Sequence, residues 1–171
     1  MAKNGKMDAV KENSPKFEKE EQFRDWLQKE LRRKLDHPDS KYIVLDSKNV
    51  SDILICKECS SMPIVALVEV KYFKRSYGRI GIGDGEGKGF QPEILIKKPA
   101  YFEKYMRWLV ASEDDVAVFV DNETVRKFAA GGRIEKGKHN NIQTTIFNNT
   151  AIGRFSIGKS SCVIIDWLES L

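Results

Sequence analysis

At 171 residues the chain is long enough for one domain with a proper core, and 41% hydrophobic with 32% charged residues is the balance of an ordinary globular protein. No apolar run approaches ~20 residues, which argues against a membrane-spanning helix, and the polar start MAKNGKMDAVKENSP lacks the apolar stretch of a secretory signal. Three cysteines in such a chain predict reduced thiols and a cytoplasmic location.

In chain order, residues 1–13 are expected to form a disordered tail, and residues 14–171 a single domain. Ser14 offers an N-cap and Pro15 a first helical position, so a helix is predicted from there to about Leu35, stopping before Pro38. Its apolar stripe is Phe23, Trp26, Leu27, Leu31 and Leu35. Glu20 shares the phase of that stripe, with Glu30 second to it, whereas Glu21 falls on the polar face with Arg24, Asp25 and Gln28.

Strands are predicted at Tyr42 to Leu45, Asp52 to Cys56 and Ile64 to Lys71. Glu69 and Lys71 are two apart, so on a strand both point to one face. An acid and a base at the end of an apolar strand are costly to bury unless they serve each other or a ligand. Asp52 and Glu69 together suit a hard cation such as Mg²⁺, which binds through one or two carboxylates and keeps several waters. Cys56 and Cys59 form a C-x-x-C in the connecting turn; a zinc-linked interaction domain would need a second ligand pair, and only Cys162, His37 and His139 remain.

Six of the twelve glycines fall between Gly78 and Gly89, which predicts a mobile loop; it matches neither a dinucleotide fingerprint nor a P-loop. Net charge is +4, but Lys71 to Arg107 holds nine Lys or Arg against four acids. Within that basic stretch Lys74, Arg75, Arg79 and Lys88 are candidates for contacts to a phosphate backbone. A helix is predicted from Pro99 to about Val110, on the helical spacing of Tyr101, Phe102, Tyr105 and Trp108. Asp115 to Val120 reads as an interior strand, followed by a short helix from Glu123 to Ala129 with Asn122 as its cap. Further strands are predicted at Ile142 to Phe147, Ile152 to Ile157 and Cys162 to Ile165.

Asp52, with Ser51 before it, and Glu69-Val70-Lys71 resemble the PD-(D/E)XK signature of restriction-endonuclease-like nucleases. The predicted order of helix, three strands, helix and strand is similar to that family's core, from Ser14 to about Asp121. Ser51 stands where the family often has Pro. The resemblance implies an α/β fold with a mixed sheet, an α-β-β-β-α-β core and here a β-rich C-terminal extension. It implies a Mg²⁺-dependent DNA endonuclease, restriction-type first, in which Mn²⁺ can substitute. A branched-DNA resolvase or repair nuclease, or a non-cleaving nucleic-acid-binding module on the same fold, is the alternative. On this resemblance Asp52, Glu69 and the Val70 carbonyl hold the metal and Lys71 orients the attacking water. Glu20 assists from the first helix, and Gln91 touches substrate or water. DNA is the expected partner, and a homodimer through the apolar run Cys162 to Trp167 would let two sites cut two strands.

Overall fold

The structure is a computed structural model and describes residues 15–46, 51–73, 79–82, 99–128, 140–143, 146–147 and 149–171. The tail 1–13, Ser14, most of the glycine-rich segment, Lys74, Arg75, Lys88 and Gln91 lie outside the described residues. In order, the elements are α1 (Glu20–Leu35), β1 (Tyr42–Asp46), β2 (Ile53–Lys57), β3 (Ile64–Phe73), β4 (Arg79–Ile82), α2 (Ala100–Tyr105), β5 (Met106–Ser112), β6 (Val116–Val120), α3 (Asn122–Phe128), β7 (Asn140–Gln143), β8 (Arg154–Phe155), a 3-10 turn (Ile157–Lys159) and α4 (Ser160–Glu169). Among the described residues no helix is long and apolar enough to cross a membrane.

The fold is mixed α/β. Six strands form one mixed sheet in the order β1-β2-β3-β5-β6-β8, and β4 pairs with β7 in a separate two-stranded sheet. β1, β2 and β3 make an antiparallel meander, β5 runs parallel to β3, and β6 folds back antiparallel on β5. The turn between β5 and β6 holds Asp115 at a φ of 59°, a left-handed conformation that aspartate tolerates better than most residues. The Asp115 carboxylate accepts the backbone N–H of Ile157 at 2.9 Å, tying the turn to the start of the C-terminal helix.

Strand alternation divides the core into two layers. Ile53, Ile55, Ala66, Val68, Val70, Tyr72, Leu109, Ala111 and Ala117 face α1 and α4, meeting Phe23, Leu27, Leu31, Ile164 and Leu168. Leu67, Trp108, Val110 and Val118 face the other way, against Met106, Val125, Ile146 and Phe147, with Phe102 of α2 packed alongside. Full burial of each large apolar side chain contributes on the order of 1.5–3 kcal/mol. Several polar groups in these layers are paired, although Ser160 Oγ and Trp167 Nε1 are buried without a hydrogen-bond partner among the described residues. Trp108 donates its indole N–H to Asn122 Oδ1 at 2.6 Å, and Asn122 donates to the Phe102 carbonyl at 3.0 Å. Lys57, although buried, donates to the Leu168 carbonyl at 2.7 Å near the end of α4.

Four sequence expectations are corrected. The first helix begins at Glu20, not at Pro15. The chain before it is extended, and Phe17 packs there against Phe23, Trp26 and Tyr72, a contact that a longer helix would carry away from the sheet. The predicted helix from Pro99 to Val110 splits: only Ala100–Tyr105 is helical, and Met106–Ser112 is a strand. Trp108 and Val110 are buried on one face and Leu109 and Ala111 on the other, so a strand enclosed on both sides had mimicked a helical spacing of aromatics. Cys162 to Ile165 is helical, because Ser160, Ile164 and Leu168 recur at one-turn spacing and are buried. Within the run Cys162 to Trp167, Ile164 is buried in this chain's own core with Ile165 and Trp167 packed against it, whereas Cys162 and Asp166 are exposed. Among the described residues the C-terminal extension is accordingly not β-rich: β7 and β8 are short, Ile146 and Phe147 are in 3-10 conformation, and α4 is the largest element there.

Candidate functional site

The site arises where β3 outruns its neighbour. β2 stops pairing at Ile53 opposite Val68, while β3 continues to Phe73. On that side, among the described residues, the N–H groups of Val70 and Tyr72 meet no strand, and buried N–H groups must find acceptors. Val70 N–H donates to Asp52 Oδ2 at 2.8 Å, and Tyr72 N–H donates to Glu20 Oε2 at 3.2 Å. In a strand the N–H and C=O of one residue point to the same side, so the Val70 carbonyl also faces this open edge. The Ser51 hydroxyl, buried, lies 2.8 Å from the Ile53 carbonyl and 3.2 Å from that of Val68, fastening the corner that precedes Asp52.

Glu69 and Lys71 project from β3 on the face shared with Leu67, opposite α1, beside Trp108 and Val110 of β5. Both are buried, and Lys71 Nζ lies 2.7 Å from Glu69 Oε1. Lys71 Nζ is also 3.7 Å from Glu20 Oε1. Burial pushes the Glu69 carboxyl up to about 7; Lys71 opposes this, and the Asp52 carboxylate, which shares a hydrogen bond with Glu69, raises it further. For Lys71, burial alone would lower the pKa, but the carboxylates of Glu69, Glu20 and Asp52 outweigh it and the net shift is upward. Burial is thus the first cause for Glu69 and the carboxylate neighbours the cause of the rise at Lys71, and three carboxylates around one ammonium leave a surplus of negative charge.

That surplus is what a cation would relieve. The donors are all hard oxygens: the Asp52 and Glu69 carboxyls and the outward Val70 carbonyl. Among the described residues no group of three or more His, Cys, Asp or Glu is arranged to hold a metal ion. Two carboxylates, a main-chain carbonyl and water instead make the kind of partial cage that Mg²⁺ accepts.

Of the residues singled out from sequence, Glu20, Asp52, Glu69, Val70 and Lys71 converge here. Glu30 does not; it pairs with Arg33 at 2.8 Å. Glu21 is exposed beside Arg24. Arg79 is described only through its backbone in β4. Cys56 and Cys59 are half-buried free thiols. Two residues assigned to the polar helix face reach the site after all: Arg24 Nη1 lies 3.4 Å from Asp52 Oδ1, and Gln28 Nε2 donates to the Asp52 carbonyl at 3.2 Å. Their signal was the four-residue step from Glu20.

A second motif went unread. Gly153 to Ser160 spells G-x-x-x-x-G-K-S, the P-loop pattern. In the structure it is no phosphate cradle. Arg154 and Phe155 pair with β6, the Ile157 N–H is taken by Asp115, and the Lys159 N–H is taken by the Ser156 carbonyl. Ser160 is fully buried on the Ile164–Leu168 stripe, where its hydroxyl cannot reach a solvated metal.

No protein-family model matches the chain, and no curated protein matches it.

Proposed function

We propose that the chain is a Mg²⁺-dependent DNA endonuclease of restriction type, hydrolysing phosphodiester bonds at the open end of β3. The observation that carries this is the buried Lys71 Nζ held 2.7 Å from Glu69 and 3.7 Å from Glu20, with Asp52 Oδ2 2.8 Å from the N–H of Val70, the residue between Glu69 and Lys71. The order of elements supports it. α1, the antiparallel β1, β2 and β3, then β4 outside the main sheet, α2 and the parallel β5 resemble the α-β-β-β-α-β sequence of the nuclease core, with Met106–Ser112 rather than the predicted Asp115 to Val120 in the place of the fourth strand.

Asp52 and Glu69 would hold the Mg²⁺, or Mn²⁺ in its place, with the Val70 carbonyl as a further donor. The bound ion would supply Lewis acidity and lower the pKa of a coordinated water. Lys71 acts as a charged hydrogen-bond donor, because its carboxylate neighbours favour the ammonium. It therefore orients the attacking water and offsets charge developing on the phosphate, rather than removing a proton. Glu20 holds Lys71 from the far side and fixes the end of β3 through the Tyr72 N–H. Lys74, Arg75, Arg79 and Lys88 follow β3 in sequence and would meet the DNA backbone, with Gln91 serving substrate or water beyond them. Cutting both strands would take two such chains, joined elsewhere than through the buried side of α4.

The test is nicking of supercoiled plasmid, a duplex oligonucleotide and a four-way junction by wild type and Asp52→Asn over a Mg²⁺ and Mn²⁺ titration. Metal-dependent cutting by wild type alone is expected. Equal cutting by both proteins would place the activity outside this site. Preference for the junction would select the branched-DNA alternative, and binding without cutting the non-cleaving module.

A further inference from the structure

The geometry points to Arg24 and Gln28 of α1 as positioning residues for Asp52; this rests on the assignment of Asp52 and Glu69 as cation ligands. Asp52 stands one residue before the first paired residue of β2, so no strand pairing holds it. Its place is set by three contacts from other elements. Gln28 Nε2 holds its main-chain carbonyl at 3.2 Å, Arg24 Nη1 lies 3.4 Å from Oδ1, and Val70 N–H holds Oδ2 at 2.8 Å.

The two helix residues belong to one stripe. Glu20, Arg24, Gln28 and Arg32 are successive four-residue steps on α1, and each touches the sheet at its open end: Tyr72, Asp52, Asp52 again, and Asp46, the last at 2.8 Å. The Arg24 guanidinium is itself localised by Asp25 at 3.7 Å and Glu21 at 3.9 Å. Its expected effect on a cation at Asp52 is to fix the carboxylate more than to repel the ion, and the sign of the change in Arg24→Ala decides between the two. Gln28 carries no charge and acts on the main chain alone. Groups that orient a ligand in this way typically change metal affinity by about 10- to 100-fold when removed.

The experiment is Mn²⁺ binding to the full chain by calorimetry, with thermal melting of each protein in EDTA, for wild type, Gln28→Ala, Arg24→Ala, Arg24→Lys and the exposed-face control Lys29→Ala. Gln28→Ala and Arg24→Ala are expected to bind Mn²⁺ about 10-fold more weakly while melting close to wild type. Arg24→Lys should recover part of the loss, and Lys29→Ala should match wild type. Unchanged affinity in both alanine variants, or tighter binding by Arg24→Ala, would overturn the positioning role and leave the nuclease assignment standing. Absence of Mn²⁺ binding by wild type would instead overturn the assignment, and the positioning role with it.

Discussion

Lys71 stands between two carboxylates, 2.7 Å from Glu69 and 3.7 Å from Glu20, and its own side chain is only 9% exposed. The surrounding carboxylates push its pKa upward and favour the charged ammonium. Lys71→Ala is expected to lower plasmid nicking by at least ~100-fold, as removal of a donor aimed at developing charge does. DNA affinity should change little, because phosphate contacts elsewhere supply most of it. The variant also strips Glu69 of the neighbour that holds its pKa down, so its residual activity should rise more steeply with pH than that of wild type. Nicking rates and gel-shift affinities over a pH series check both points.

Glu69 makes the stability of the metal-free protein fall as pH rises. Its folded-state pKa, about 7, is above its ordinary 4.5. The folded state thus binds the proton more tightly, and the stability this contributes is present below 4.5 and lost as pH rises through about 7. In EDTA, urea unfolding should show a decline between about pH 5 and about pH 8, on the order of a few kcal/mol at most. Glu69→Gln should flatten that slope. Added Mn²⁺ should stabilise wild type more at the upper end, where the carboxyl is ionised, and a slope identical in wild type and Glu69→Gln would remove Glu69 as its source.

Asn122 links α3 to β5 and α2 through the Trp108 indole and the Phe102 carbonyl. Asn122→Ala strands the buried Trp108 indole donor, while the Phe102 carbonyl keeps the Met106 N–H, and is expected to cost about 1–3 kcal/mol. The loss should appear in urea unfolding of the metal-free protein.

Lys159 tests the P-loop-like octapeptide. Its backbone N–H is already bonded within the 3-10 turn. Lys159→Ala should leave nicking unchanged, and ATP with Mg²⁺ should not shift the melting temperature of wild type beyond what Mg²⁺ alone produces. A specific ATP shift abolished by Lys159→Ala would show that the segment binds nucleotide.

Local patterning determined much of this protein. The spacing of Phe23, Leu27, Leu31 and Leu35 marked α1 and the two-residue step put Glu69 and Lys71 on one face, because each depends only on the period of helix or strand, while short aliphatic, β-branched runs marked β2 and β3. Glu20 was identifiable for the same reason, through its phase on α1.

What only the tertiary structure decided depends on which elements lie side by side. Met106–Ser112 became a strand because β3 offers it a parallel partner and packing waits on both faces, overriding the helical spacing of its aromatics. Ser160 to Glu169 became a helix under the sheet, where a short apolar run cannot by itself distinguish helix from strand. Arg24 and Gln28, polar residues on a helix, acquired a task only once β2 ended short and left Asp52 beneath them. The octapeptide from Gly153 to Ser160 lost the one its letters suggest, because β6 and Asp115 claim its backbone first. A sequence carries the period of each element; which N–H groups remain unpaired at the end of a strand, and which side chains answer them, is settled by the neighbours that folding brings alongside.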